Sequence, residues 1–74
     1  MKMQQVSSLE MIKFLNTKGY NVHHSRGSHF VLIKINVSRL VVPLRNNLPI
    51  GTILAILRES KISREEYLEF FSRK

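Results

Sequence analysis

Three histidines, His23, His24 and His29, are the side chains of this 74-residue sequence best suited to moving protons near neutral pH. An imidazole has an unperturbed pKa of about 6.5, so its acid and base forms are both populated there. His29 directly follows Arg26-Gly27-Ser28. A glycine at Gly27 permits backbone geometry closed to other residues and lets an anion approach the amides of Ser28 and His29. The same glycine also serves simply to turn the chain, and Ser28 is suited either to orient His29 or to satisfy the local backbone. His23 and His24 are adjacent, so regular strand alternation sends them to opposite faces and keeps them out of one shared site. One of them, His24 or His23, is a candidate second acid or base across a hairpin from His29, at a register the sequence leaves open. There is no cysteine and no aspartate, and four of the five glutamates come after Ile56. No metal centre and no other cofactor is expected from such a set.

A small scaffold must hold these residues. Ser7-Ser8-Leu9-Glu10 fits a capping box, with Val6 and Met11 as its hydrophobic staple. Apolar Leu9, Met11, Ile12, Phe14 and Leu15 then predict a helix from about Leu9 to Lys18, stopped at Gly19. Tyr20 to Ser25 alternates as a half-buried strand, Arg26-Gly27-Ser28 turns, and His29 to Ile35 suits a central strand. Asn36-Val37-Ser38 supplies a hairpin loop before a third strand from Arg39 to Val42, ended by Pro43. Pro49 stands at the start of a second helix that runs to about Ser60. Gly51 costs that helix up to about 1 kcal/mol relative to Ala, which suggests a close approach by a strand or ligand. Ser63-Arg64-Glu65-Glu66 is a second capping box, flanked by Ile62 and Tyr67, and opens a short third helix. The expectation is one α+β domain over residues 1–74, a three-stranded antiparallel sheet with helices packed on one face.

Composition narrows the partners. Twelve Lys and Arg against five Glu give a net charge of +7. The whole excess lies in residues 1–58, because residues 59–74 carry four charges of each sign. Such asymmetry favours a polyanion, nucleic acid first and an anionic membrane surface second. Arg26, Lys34, Arg39 and Arg45 fall in or beside the sheet, where they suit phosphate contacts or, more plainly, keep an exposed sheet soluble. Lys13 and Lys18 extend that footprint or simply face solvent. Phe30 and Tyr20 are placed in the core rather than under bases. Tyr67, Leu68, Phe70 and Phe71 give the last helix more apolar surface than a short terminal helix needs, for the core or for a partner. No apolar run approaches the roughly 18 residues that cross a bilayer, and the start MKMQQVSSLE carries no signal-peptide core, so a cytoplasmic location is expected.

Gly27-Ser28-His29, then Val41-Val42-Pro43, then Leu48 to Arg58 with Ile62-Ser63 after it, form an ordered set over about Ser8 to Leu68. In that set the chain resembles the HicA family of bacterial toxins. The resemblance implies a double-stranded-RNA-binding-like fold, an mRNA-cleaving endoribonuclease activity, and a HicB-like antitoxin partner that masks the active site in a hetero-oligomer. It also implies that His29 is the catalytic histidine, with Gly27 and Ser28 matching the residues before it. Arg26 stands where the family commonly has Lys or Arg, and Gly51-Thr52 matches the family's GT. The chain departs from the pattern at His24, often Arg; at Leu44 and Arg45, where a second histidine frequently follows the VP; and at Lys61, usually Gly.

RNA carries its own nucleophile, the 2′-hydroxyl, so such an enzyme needs to move protons, hold the phosphate and align the attack. On single-stranded mRNA the expectation is a metal-independent endoribonuclease with a single catalytic histidine, His29, as acid or base, and Arg26, Gly27, Ser28, Lys34, Arg39 and Arg45 as the substrate grip, with His24 as a candidate auxiliary. The alternatives are a non-catalytic RNA- or DNA-binding module on the same fold, and an interaction protein that docks a partner through its apolar tail.

Overall fold

A computed structural model describes residues 3–35 and 39–72. Helix α1 spans Ser8–Thr17 and begins in the expected capping box. The Glu10 amide donates to Ser7 Oγ at 3.2 Å, and the Ser7 amide donates to the Glu10 carboxylate at 2.9 Å. The helix ends at Gly19, whose amide bonds the Asn16 carbonyl and whose φ of +95° turns the chain so that the Tyr20 amide reaches the Leu15 carbonyl.

Three strands follow, β1 (Asn21–Arg26), β2 (His29–Ile33) and β3 (Leu40–Pro43), paired antiparallel in the order β1-β2-β3. The loop expected at Asn36-Val37-Ser38 lies outside the described residues. Phe30 pairs with Val42, and Leu32 with Leu40, so these four share one face. That face carries the sheet's part of the core: Leu32, Leu40 and Val42 are buried and Phe30 packs against them. Contrary to the half-buried pattern expected of it, β1 is exposed along its whole length, because it is an edge strand and its apolar predecessor Tyr20 is buried just before it.

Helix α2 (Ile50–Ser60) packs Ile53, Ile56 and Leu57 into the core, with Pro49 as its N-cap. Space around Gly51 is open: a β-carbon there would meet nothing within 4 Å, so no strand approaches closely at that position. Lys61 ends α2 in the left-handed conformation, φ +60°, in the place where the resemblance expects glycine.

Helix α3 (Arg64–Ser72) opens with its own capping box, Ser63 and Glu66 bonding reciprocally at 3.0 and 3.1 Å. Its aromatic residues turn inward. Tyr67 is fully buried and donates its hydroxyl to the Gln4 carbonyl at 2.7 Å, and Phe70 and Phe71 close on the Phe14 ring at 5.1 and 5.6 Å. The apolar excess of the last helix therefore completes the core against α1. With the helices on one face, the opposite face of the sheet is left open.

Candidate active site

Gly27 and Ser28 are the two-residue loop of the β1–β2 hairpin, with Arg26 paired to His29 across it. Gly27 has φ +59° and Ser28 does not have a positive φ, the pattern of a type II′ turn, in which the first loop position demands glycine. So short a loop leaves the register no freedom. Arg26 opposes His29, Ser25 opposes Phe30, and His24 opposes Val31. Since Phe30 belongs to the core face, His29 and Val31 belong to the open one, and with them Arg26 and His24. All three polar side chains are exposed, whereas Val31, central among its neighbours, is 8% exposed.

On its other side His29 pairs with Pro43, and the Leu44 amide donates to the Ser28 carbonyl at 2.6 Å. The segment leaving β3 is thus tied to the turn that carries the histidine, and it brings exposed Arg45 to the same end of the sheet. Ser8, the first residue of α1, fixes this segment from below. Its hydroxyl lies 2.7 Å from the Pro43 carbonyl and 2.8 Å from that of Arg45, sharing its one proton between them, and accepts the Arg45 amide at 2.5 Å. The Ser8 amide adds a bond to the Arg45 carbonyl at 2.9 Å, and Ser8 is fully buried. In the sequence Ser8 reads only as part of a capping box. Its partners are 35 and 37 residues away, and a tandem serine at a helix start is the one local sign of it.

His23 and His24 do not diverge as regular alternation requires. Val22 pairs with Leu32 and His24 with Val31, so His23 is the extra residue of a β-bulge. In an unbroken ladder His23 would face the core opposite Leu32. The bulge spares it that burial, and its ring stands 5.1 Å from the ring of His24, edge to face at 72°.

The predicted basic grip divides in two. Arg26 and Arg45 lie at the His29 end with Gly27 and Ser28. Lys34 and Arg39 lie at the far end, since Lys34 follows β2 and is five residues, roughly 16 Å of strand, from His29. There the Lys34 stem covers Gly19, approaching to 3.1 Å the position a β-carbon would take, and its ammonium sits 5.7 Å from the centre of the Tyr20 ring. Lys18 is engaged elsewhere, paired with Glu66 at 2.5 Å and poised 5.9 Å from the Phe14 ring centre. Among the described residues no three histidines or glutamates come together in a group that could hold a metal ion.

An exposed histidine at the mouth of a Gly-Ser turn, an arginine opposite it and a second arginine on a pinned loop thus stand together at one end of the sheet. Residues 9–62 match the family described as HicA toxin of bacterial toxin-antitoxin. The chain belongs to the HicA family. As a HicA toxin it is the toxin component of a bacterial toxin–antitoxin system, which implies an antitoxin partner. No curated protein and no solved structure matches it. The family match runs from Leu9 in α1 through the sheet to Ile62, just past α2, and stops before α3. No helix among the described residues of this HicA toxin is long and apolar enough to cross a membrane.

Proposed function

We propose that this HicA toxin is an endoribonuclease that cuts single-stranded mRNA in the cytoplasm, with His29 as a proton-transfer residue, and that a HicB-like antitoxin silences it in a hetero-oligomer. The observation that carries the reading is the fixed pairing of Arg26 with His29 on the open face of the sheet, which sets a permanent cation beside an exposed imidazole. RNA supplies the 2′-hydroxyl as nucleophile. His29 takes the proton from that hydroxyl or gives one to the departing 5′-oxygen, while Arg26 and Arg45 neutralise the charge that gathers on the phosphate oxygens. Backbone amides at the Gly27-Ser28 turn add donors that a side chain at Gly27 would obstruct. Lys34 and Arg39, at the far end of the sheet, suit the backbone of the strand beyond the cut. Residues 1–74 act as one domain.

Attack by the 2′-oxygen leaves a 2′,3′-cyclic phosphate and a 5′-hydroxyl. Purified toxin incubated with a labelled single-stranded RNA in EDTA tests this directly through the chemistry of the product ends. Cleavage with those ends supports the reading; ends bearing a 5′-phosphate, or activity abolished by EDTA, overturn it. A non-catalytic binding module would instead retain RNA in a salt-sensitive complex with no strand scission.

A further inference from the structure

Hairpin register places a second imidazole, His24, on the same open face as His29. We propose that His24 is the acid–base partner of His29; the inference rests on the ribonuclease reading above and names the second proton-transfer residue of that site. His24 opposes Val31 and His29 opposes Arg26, so His24 and His29 are diagonal neighbours on the open face. Diagonal neighbours in an antiparallel pair stand about 7–8 Å apart. In-line displacement at phosphorus sets the attacking and leaving oxygens on opposite sides of it, and a hydrogen bond at each end brings the separation of base and acid to about 7–9 Å. The first spacing is that of the backbone, and each imidazole nitrogen lies beyond its Cβ on a side chain that rotates, so the two rings can take up the second.

The surroundings of His24 favour the role. Directly across from it is Val31, which offers no hydrogen bond to compete with substrate. Beyond β2, strand β3 presents Val41 and Pro43 to the same face. The titratable and charged groups around it are His23 and Arg26 on its own strand and His29 on β2. Arg26 lies on the same face as both imidazoles, where its guanidinium suits the two non-bridging oxygens of a phosphate held between them. His23, moved out of the ladder by the bulge, stands 5.1 Å from His24 ring to ring.

Protons balance over one turnover. One imidazole, neutral, removes the 2′-hydroxyl proton as the 2′-oxygen bonds to phosphorus. The other, charged, gives its proton to the 5′-oxygen as the P–O5′ bond breaks. The pair ends with its protonation exchanged, and solvent restores it.

The test measures cleavage by wild type, His24→Ala and His29→Ala over pH 5–9 on two substrates, an ordinary RNA and one with a bridging 5′-sulfur at the cut. A thiolate leaves without a proton, so the sulfur substrate relieves only the variant that lacks the acid. Both substitutions are at exposed positions, and circular dichroism confirms that the fold is kept. The expected result is a bell-shaped wild-type profile, a loss of about 10²–10⁴-fold in each variant with one limb of the bell gone, and rescue by sulfur of one variant and not the other. A His24→Ala enzyme that keeps wild-type rate and both limbs overturns the role of His24 while leaving the ribonuclease reading intact, as does rescue of neither variant. Intact RNA in the wild-type reaction overturns both.

Discussion

The buried hydroxyl of Ser8 accepts the backbone N–H of Arg45 at 2.5 Å, tying the first turn of α1 to the segment that leaves β3 beside His29. Replacing Ser8 by Ala strands that amide and the Pro43 carbonyl, while the Arg45 carbonyl keeps its bond from the residue 8 amide, at a cost of about 1–3 kcal/mol. For a domain of this size each kcal/mol lowers Tm by roughly 4–8 °C. Arg45 is positioned through the same contacts, so Arg45→Ala should weaken RNA binding less in the Ser8→Ala background than in wild type. A double-mutant cycle in binding to a 2′-O-methyl RNA measures that coupling, and additive effects would contradict it.

Lys61 ends α2 at φ +60°, a conformation that costs an L-residue about 1–2 kcal/mol relative to glycine. The gain from Lys61→Gly is partly offset by the freedom glycine adds to the unfolded chain. Urea denaturation should show a stabilisation of up to about 1 kcal/mol, with no change in cleavage.

Gly51 lies in the first turn of α2 with open space around it. Alanine fits without displacing anything and restricts the unfolded chain, so Gly51→Ala should stabilise the fold by about 0.5–1 kcal/mol. Thermal unfolding reads this out. A loss of stability would mean that the position is tighter than the structure has it.

Glu66 joins the end of α1 to the start of α3, one carboxylate oxygen on Lys18 and the other on Ser63. The Lys18 bond, helped by those from Ser63, pulls its pKa from 4.5 down to about 2. A carboxylate lowered in the folded state stabilises fully above pH 4.5 and loses that contribution as the pH falls through about 2. The stability gap between wild type and Glu66→Gln should therefore be level from neutral pH to about 4.5, then shrink steadily in more acid solution. A gap that stays constant down to pH 2 would show that the charge contributes nothing.

Much of this was legible from local signals. Both capping boxes, the stop at Gly19 and the three strands follow from side chains close in sequence, and the His29 end of the sheet follows from the Gly-Ser-His motif. Two features escaped for physical reasons. Alternation presumes an unbroken ladder, so the bulge at His23, and with it the pairing of two imidazoles, has no period-2 signature. Ser8 acts through contacts more than thirty residues distant, which no local pattern encodes. The hairpin register depends on whether Arg26 belongs to the turn or to the strand, which the sequence leaves open. A Gly-Ser pair is a two-residue loop with glycine first, and once Arg26 is assigned to the strand, His24 and His29 fall on one face.

The central claim is that His29 moves a proton during RNA cleavage. Single-turnover cleavage by wild type and His29→Ala, with affinity for a 2′-O-methyl RNA measured in parallel, tests it most directly. The account predicts a rate lower by about 10²–10⁴-fold in the variant and an affinity within a few-fold of wild type. A His29→Ala enzyme that cleaves at the wild-type rate would contradict it.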